Sequence, residues 1–212
     1  MSVINNYNNS TLLSGTASAD SICNYGSKVT INGGAGNDYL WTKLTTSNVT
    51  INGGAGADSI YSNGANSSAN GGSGNDTIHN NGSNNVVDGG DGNDFLQTGY
   101  ITSTNVTLNT GAGNDTVQII SEGKNVINVG EGDNLLRVFR DNELIVNGSD
   151  ANESLLIQAY RENVSHDMPD IAMTINSSRG NDVILGFGNQ SAQGFHADAQ
   201  PNHAHIDGGY GR

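Results

Sequence analysis

One phrase recurs along this chain: INGGAGNDYL at 31–40, INGGAGADSI at 51–60, ANGGSGNDTI at 69–78 and VDGGDGNDFL at 87–96. Each copy places two glycines, a third glycine two residues later, an aspartate, and then an aliphatic residue. Self-similarity at a fixed period constrains a fold more than composition does, because every copy must adopt one local structure and pack against its neighbours.

Aligned on six-residue loops, the repeat reads GTASAD (15–20), GGAGND (33–38), GGAGAD (53–58), GGSGND (71–76), GGDGND (89–94), TGAGND (110–115) and VGEGDN (129–134). Successive loops start 18, 20, 18, 18, 21 and 19 residues apart. A fainter NGSDAN follows at 147–152. SSRGND comes at 177–182 after a longer interval, which points to an insertion around 161–170.

An aliphatic residue stands two positions after the loop's end in most copies: Ile22, Leu40, Ile60, Ile78, Leu96, Val117, Leu136 and Ile184. Ahead of the loops, KVTIN (28–32), NVTIN (48–52), NVTLN (105–109) and AMTIN (172–176) alternate apolar and polar residues. Period two is the mark of a β-strand, here three or four residues long. Two short strands and two turns per unit make one coil of a solenoid. Coils stacked in parallel at roughly 4.8 Å would build a rod about 40 Å long from about eight of them. A single coil cannot bury its few aliphatics, whereas a stack lines them into a continuous core. The expected fold is therefore all-β, a parallel β-roll or β-solenoid of about eight coils of roughly 18 residues. Its parts are a lead-in (1–14), the regular roll (15–134), degenerate coils with an insertion (135–186) and a polar, mobile tail (187–212).

Composition fits that frame and narrows the partners. Only 34% of residues are apolar and 6% aromatic, against 30 glycines, a mixture that without the repeat would suggest low-complexity disorder. Acidic residues outnumber basic ones 21 to 8, for a formal charge of −13. Nucleic acid and anionic membrane surfaces are poor partners for such a chain, and cations are good ones. The single cysteine, Cys23, cannot form an internal disulfide, which leaves a metal as the obvious staple. MSVINNYNNSTLLSG (1–15) lacks the basic start and apolar run of a cleaved leader, and no stretch approaches the length of a membrane span. Membrane insertion is not expected; residence in the cytosol and export without a cleaved leader both remain open.

The loop residues explain why a cation is needed. Glycines at the first, second and fourth positions let the backbone take positive φ and turn its carbonyls toward one point, where the sixth position adds a carboxylate. Stacking sets Asp20, Asp38, Asp58, Asp76, Asp94 and Asp115 in one file. Neighbours about 5 Å apart repel by about 3 kcal/mol at an effective dielectric of 20. A hard divalent ion between adjacent loops accepts both carboxylates and several carbonyls, the all-oxygen environment calcium prefers. The candidate metal residues are Asp20; Gly33, Ala35, Asn37 and Asp38; Gly53, Ala55 and Asp58; Gly71, Ser73 and Asp76; Gly89, Asp91 and Asp94; Gly111 and Asp115; and Asp133. About four well-formed calcium sites in one row are expected, in the gaps from Asp38 to Asp115, with a weaker fifth beside Asp20. VGEGDN and NGSDAN put Asn134 and Asn152 at the carboxylate position, so calcium should be weak or absent beyond Asp115.

GGAGNDYLW, GGAGADSIY, GGSGNDTIH and GGDGNDFLQ resemble the hemolysin-type, or RTX, nonapeptide G-G-x-G-x-D-x-U-x. The resemblance is strong over 15–134 and returns in SSRGNDVIL at 177–185. It implies a calcium-binding β-roll of a secreted or cell-surface bacterial protein, exported by type I machinery without a cleaved signal peptide. Two-row members carry the loop in both half-coils. Here the intervening NYGSKV, KLTTSNV, NGANSS and NGSNNV have no aspartate, so the other edge should close with Asn, Gly and Ser turns.

Alternative readings are an adhesion or glycan-binding module, and the accessory, non-catalytic part of a secreted enzyme. Alanine or serine at the third loop position in most copies disfavours ice, since ice-binding relatives carry threonine there. Trp41 and Tyr61, at the ninth position of successive repeats, suit cross-strand packing better than sugar binding. No HExxH or GxSxG occurs, and no enzyme is expected. Ser165, His166 and Asp167 are adjacent in sequence, which is not triad geometry. His79, His166, His196, His203 and His205 suggest no fixed transition-metal cluster.

Overall fold

The computed structural model describes residues 1–99, 103–121, 123–139 and 142–149, and beyond them the backbone of five further strands. Every described strand pairs in parallel, and two sheets result. The first has eleven strands: β1 (Val3–Asn6), β3 (Ser21–Asn24), β5 (Tyr39–Thr42), β7 (Ser59–Ser62), β9 (Thr77–Asn80), β11 (Phe95–Thr98), β13 (Thr116–Ile119), β15 (Gly132–Val138), β17 (Glu153–Ala159), β19 (Val183–Gly188) and β21 (His205–Tyr210). The second has ten: β2 (Leu12–Ser14), β4 (Thr30–Ala35), β6 (Thr50–Ala55), β8 (Ser68–Ser73), β10 (Val86–Asp91), β12 (Thr107–Ala112), β14 (Gly123–Asn128), β16 (Asn142–Asn147), β18 (Ala172–Asn176) and β20 (Phe195–Ala197). The chain alternates between them, so it is a parallel β-solenoid whose regular advance of about 18 residues holds for about eight turns. None of the described residues lies in a helix long and apolar enough to cross a membrane.

Each strand is paired to the copy of itself one coil away. Ile22 opposes Leu40, Leu40 opposes Ile60, and the column runs on through Ile78, Leu96, Val117 and Leu136. A facing column from the second sheet comprises Leu13, Ile31, Ile51, Ala69, Val87, Leu108, Ile127 and Val146. Both columns are buried. The core is thus barely two side chains wide, and length replaces girth as the source of apolar burial.

The even strands are longer than the alternation suggests. From β4 to β12 they run six residues, through the first two glycines into the loop's third position, with Gly34 paired to Gly54 and Gly54 to Gly72. Glycine permits this at the second position for two reasons: Gly54 has φ 116°, and a Cβ there would strike the Gly34 carbonyl oxygen.

The opposite edge closes with left-handed turns. Lys28, Asn48, Asn66, Asn84 and Asn105 all have φ between 56° and 58° or, at Asn66, 53°, and asparagine tolerates that region best among residues with a side chain. Residues beyond the 18-residue period are absorbed on this edge, as in the Lys43–Thr46 turn, where Thr46 N–H donates to the Lys43 carbonyl. The aspartate loops therefore stay in register.

On the outer face of the first sheet the rings pack on one another. Tyr7 and Tyr25 stack at 4.6 Å, Tyr25 leans on Trp41, and Tyr61 stacks on His79 at 4.9 Å. Contacts between neighbouring rings help hold coils together, although Tyr7, Tyr25 and Tyr39 stay exposed. His79 also holds Gln97 through Nδ1 at 2.6 Å.

The stack begins earlier than residue 15, since β1 and β2 within the lead-in already form its first coil. Within 187–212, β20 and β21 extend both sheets. The insertion at 161–170, the SSRGND loop, Asn152, Ser165, His166, Asp167 and His203 lie outside the described residues, as do the side chains of Ile184, His196 and His205.

Inward and outward columns should differ sharply in cost. Ile78→Ala should destabilise the folded roll by about 3 kcal/mol, and Val86→Ala, half-exposed on the outer face, by less than about 1 kcal/mol. Urea unfolding in the presence of calcium measures both, and equal losses would contradict the assignment of faces.

Candidate metal centre

The loop turns its aspartate back into the roll. Asp38, Asp58, Asp76, Asp94 and Asp115 are each no more than 3% exposed. The Oδ1 atoms knit the coils together: Asp20 N–H donates to Asp38 Oδ1 and Asp38 N–H to Asp58 Oδ1, both at 2.7 Å. Asp58 N–H donates likewise to Asp76 Oδ1, Asp76 N–H to Asp94 Oδ1, and Asp94 N–H to Asp115 Oδ1.

The other oxygen has nothing. Oδ2 of Asp38, Asp58, Asp76, Asp94 and Asp115 is buried without a hydrogen-bond partner. One such atom costs about 1–3 kcal/mol or more when charged, and five in a row mark a place built for something else. The surroundings say what. A Cβ added to Gly33 would meet both Asp38 Oδ2 and the Gly53 carbonyl oxygen at 2.5 Å. The same pair of oxygens, from one loop's aspartate and the next loop's first residue, meets at Gly53, Gly71 and Gly89. A carboxylate oxygen without a donor, crowded against a carbonyl oxygen, suits a hard cation such as calcium. Among the described residues no three His, Cys, Asp or Glu side chains gather at one point; the oxygens crowded beside each carboxylate are backbone carbonyls.

Burial drives the electrostatics. It pushes the carboxyl of Asp76 up to about 7 and those of Asp58 and Asp94 up to about 6, with neighbouring aspartates adding to each. Asp38 and Asp115 are raised for the same first reason. Asp20 is the exception. Its Oδ1 accepts the Ser2 N–H at 2.5 Å, and its Oδ2 accepts the Thr16 N–H at 2.6 Å and the Thr16 hydroxyl at 2.8 Å. Those bonds, Ser2's first, hold it at about 2.

The other candidates fall in three places. Gly33, Gly53, Gly71 and Gly89 line the cradles of the unpaired oxygens. Ala35, Ala55, Ser73 and Asp91 end the even strands, and the carbonyls of the last three accept N–H bonds from Gly36, Gly56 and Gly74. Gly111, second in its loop, has φ 95° and stacks on Gly90. Asn37 belongs to a fifth-position ladder, its Oδ1 accepting the Ala57 N–H at 3.0 Å. Asp133 lies in the same ladder, exposed, donating its N–H to Asn114 Oδ1, and does not join the carboxylate file. Asn134 takes that place instead, accepting the Asp115 N–H on Oδ1 at 2.9 Å. Its role was visible in sequence only as a missing carboxylate, because what an amide donates to depends on where the loop carbonyls point.

The described model of the RTX calcium-binding nonapeptide repeat matches this chain in four copies, at residues 29–43, 45–68, 61–96 and 102–118. No curated protein and no solved structure matches it. The matched segments contain every one of the five aspartates with an unpaired oxygen. The chain thus carries RTX calcium-binding nonapeptide repeats, wound into a β-roll that stacks their aspartates in a single file.

Proposed function

We propose that this chain is a calcium-dependent structural β-roll of a secreted or cell-surface protein, in which calcium binding and the folding of the aspartate-bearing coils are one event and no catalysis occurs. The observation that carries the reading is the row of buried Oδ2 atoms without partners. Such atoms oppose the folded state until a cation joins adjacent loops, so the free energy of ion binding becomes free energy of folding. Four ions are well held, one in each gap between Asp38, Asp58, Asp76, Asp94 and Asp115. A weaker fifth lies beside Asp20, whose Oδ2 Thr16 has already claimed. Extracellular calcium, far more abundant than cytosolic calcium, supports the location. An adhesive or glycan-binding role has no comparable support among the described residues, where ring contacts on the outer face join neighbouring coils.

Circular dichroism with and without millimolar calcium, joined to calorimetric ion counting, tests this. The expected result is a chelated chain poor in β-structure that folds cooperatively on taking up about four ions. An unchanged spectrum, or one or two independent sites, would overturn it. Asp76→Ala should lower calcium affinity more than Asp20→Ala, since Asp76 serves two gaps with a free oxygen and Asp20 serves none so cleanly.

Protons compete with calcium for the same oxygens, which sets a pH dependence. Asp58, Asp76 and Asp94 are raised in the folded state, so in chelator their contribution to stability is fully present below the ordinary carboxylate value near 4 and lost as pH rises through about 6 to 7. Asp20, lowered, acts oppositely and only near pH 2 to 4. Calcium-free protein should therefore gain structure on mild acidification from pH 8 to pH 5, measured by circular dichroism. Loss of structure over that range would contradict the burial of these groups.

A further inference from the structure

Loop 129–134 has the glycines of its predecessors at positions two and four, Gly130 and Gly132, yet ends in Asn134. The Asn134 side chain is 4% exposed and seated as the aspartates are, with Oδ1 on the N–H of the preceding coil's aspartate. What differs is the second atom. In Asp38, Asp58, Asp76, Asp94 and Asp115 it is an oxygen with no partner. In Asn134 it is Nδ2, which donates to the Gly130 carbonyl at 3.1 Å and the Gly132 carbonyl at 3.3 Å. One atom has changed, and position six, which carries an unpaired oxygen in the preceding loops, has acquired a donor.

We propose that the Asn134 amide closes the calcium row: its two N–H protons tie position six to its own loop's carbonyls, where the preceding loops offer a cation an unpaired oxygen, and loop 129–134 is a metal site held shut by hydrogen bonds. The row is bounded at its other end by the complementary device, Thr16 donors placed on the Asp20 carboxylate. Between the two lie the loops with an unpaired oxygen, which hold metal most firmly. Loop 129–134 forms without calcium and offers the last calcium-dependent coil a finished surface to stack on, through the Thr116–Ile119 and Leu135–Val138 pairing.

This rests on the calcium reading above, and the test separates the two. Asn134→Asp replaces Nδ2 by an oxygen facing the Gly130 and Gly132 carbonyls, which recreates the need for a cation. Calorimetric titration of the full chain with calcium should show one more ion than in the wild type. In chelator, coil 129–134 should lose amide-exchange protection, which calcium restores. Asn134→Ser removes the amide without adding charge and should gain no ion while losing the same protection. An unchanged ion count in Asn134→Asp, failure of that variant to fold at saturating calcium, or an extra ion in Asn134→Ser overturns the inference. Wild-type protein that binds no calcium overturns the metal reading beneath it.

Discussion

A carboxylate oxygen buried without a donor is the constraint around which this roll is arranged. Each aspartate of the file commits Oδ1 to the N–H of the coil before it, and that bond fixes the stacking register. The same bond turns Oδ2 inward, beside carbonyl oxygens, where no protein donor answers it. Register and unpaired oxygen are therefore one feature: the coils cannot stack in this way without leaving the oxygen that suits a cation.

Elsewhere the stack is made from neutral, self-complementary parts. Outer columns of asparagine pair along the axis, Asn52 with Asn32 and Asn128 with Asn109, each Nδ2 donating to the Oδ1 of the preceding coil. An amide ladder satisfies itself because every rung has both a donor and an acceptor. A carboxylate ladder does not, and this is the physical difference between the aspartate file and the asparagine columns of one molecule. The aliphatic core is too narrow to override an unfavourable edge, since each coil contributes only two or three buried aliphatic side chains.

The ends of the file show the same logic. Where the aspartates begin, Thr16 supplies donors to the carboxylate; where they end, Asn134 supplies donors to the carbonyls. Either change satisfies the loop by hydrogen bonds alone. The unpaired oxygens are thereby confined to the stretch from Asp38 to Asp115 among the described residues.

The repeat alone determined the all-β solenoid, the inward column from Ile22 to Leu136, the placing of the aspartates on one edge and the left-handed asparagine turns on the other. Period, stacking and charge repulsion follow from spacing, and spacing is written in the chain. Which atoms are left over is not. That Asp20 is satisfied while Asp38 is not, that Asn37 and Asp133 join a separate exposed ladder, and that Asn134 reaches Gly130 and Gly132 all depend on where carbonyls and N–H groups of neighbouring coils point. Those directions are set by the superposition of one coil on the next, a relation between residues about 18 apart that only the tertiary structure decides.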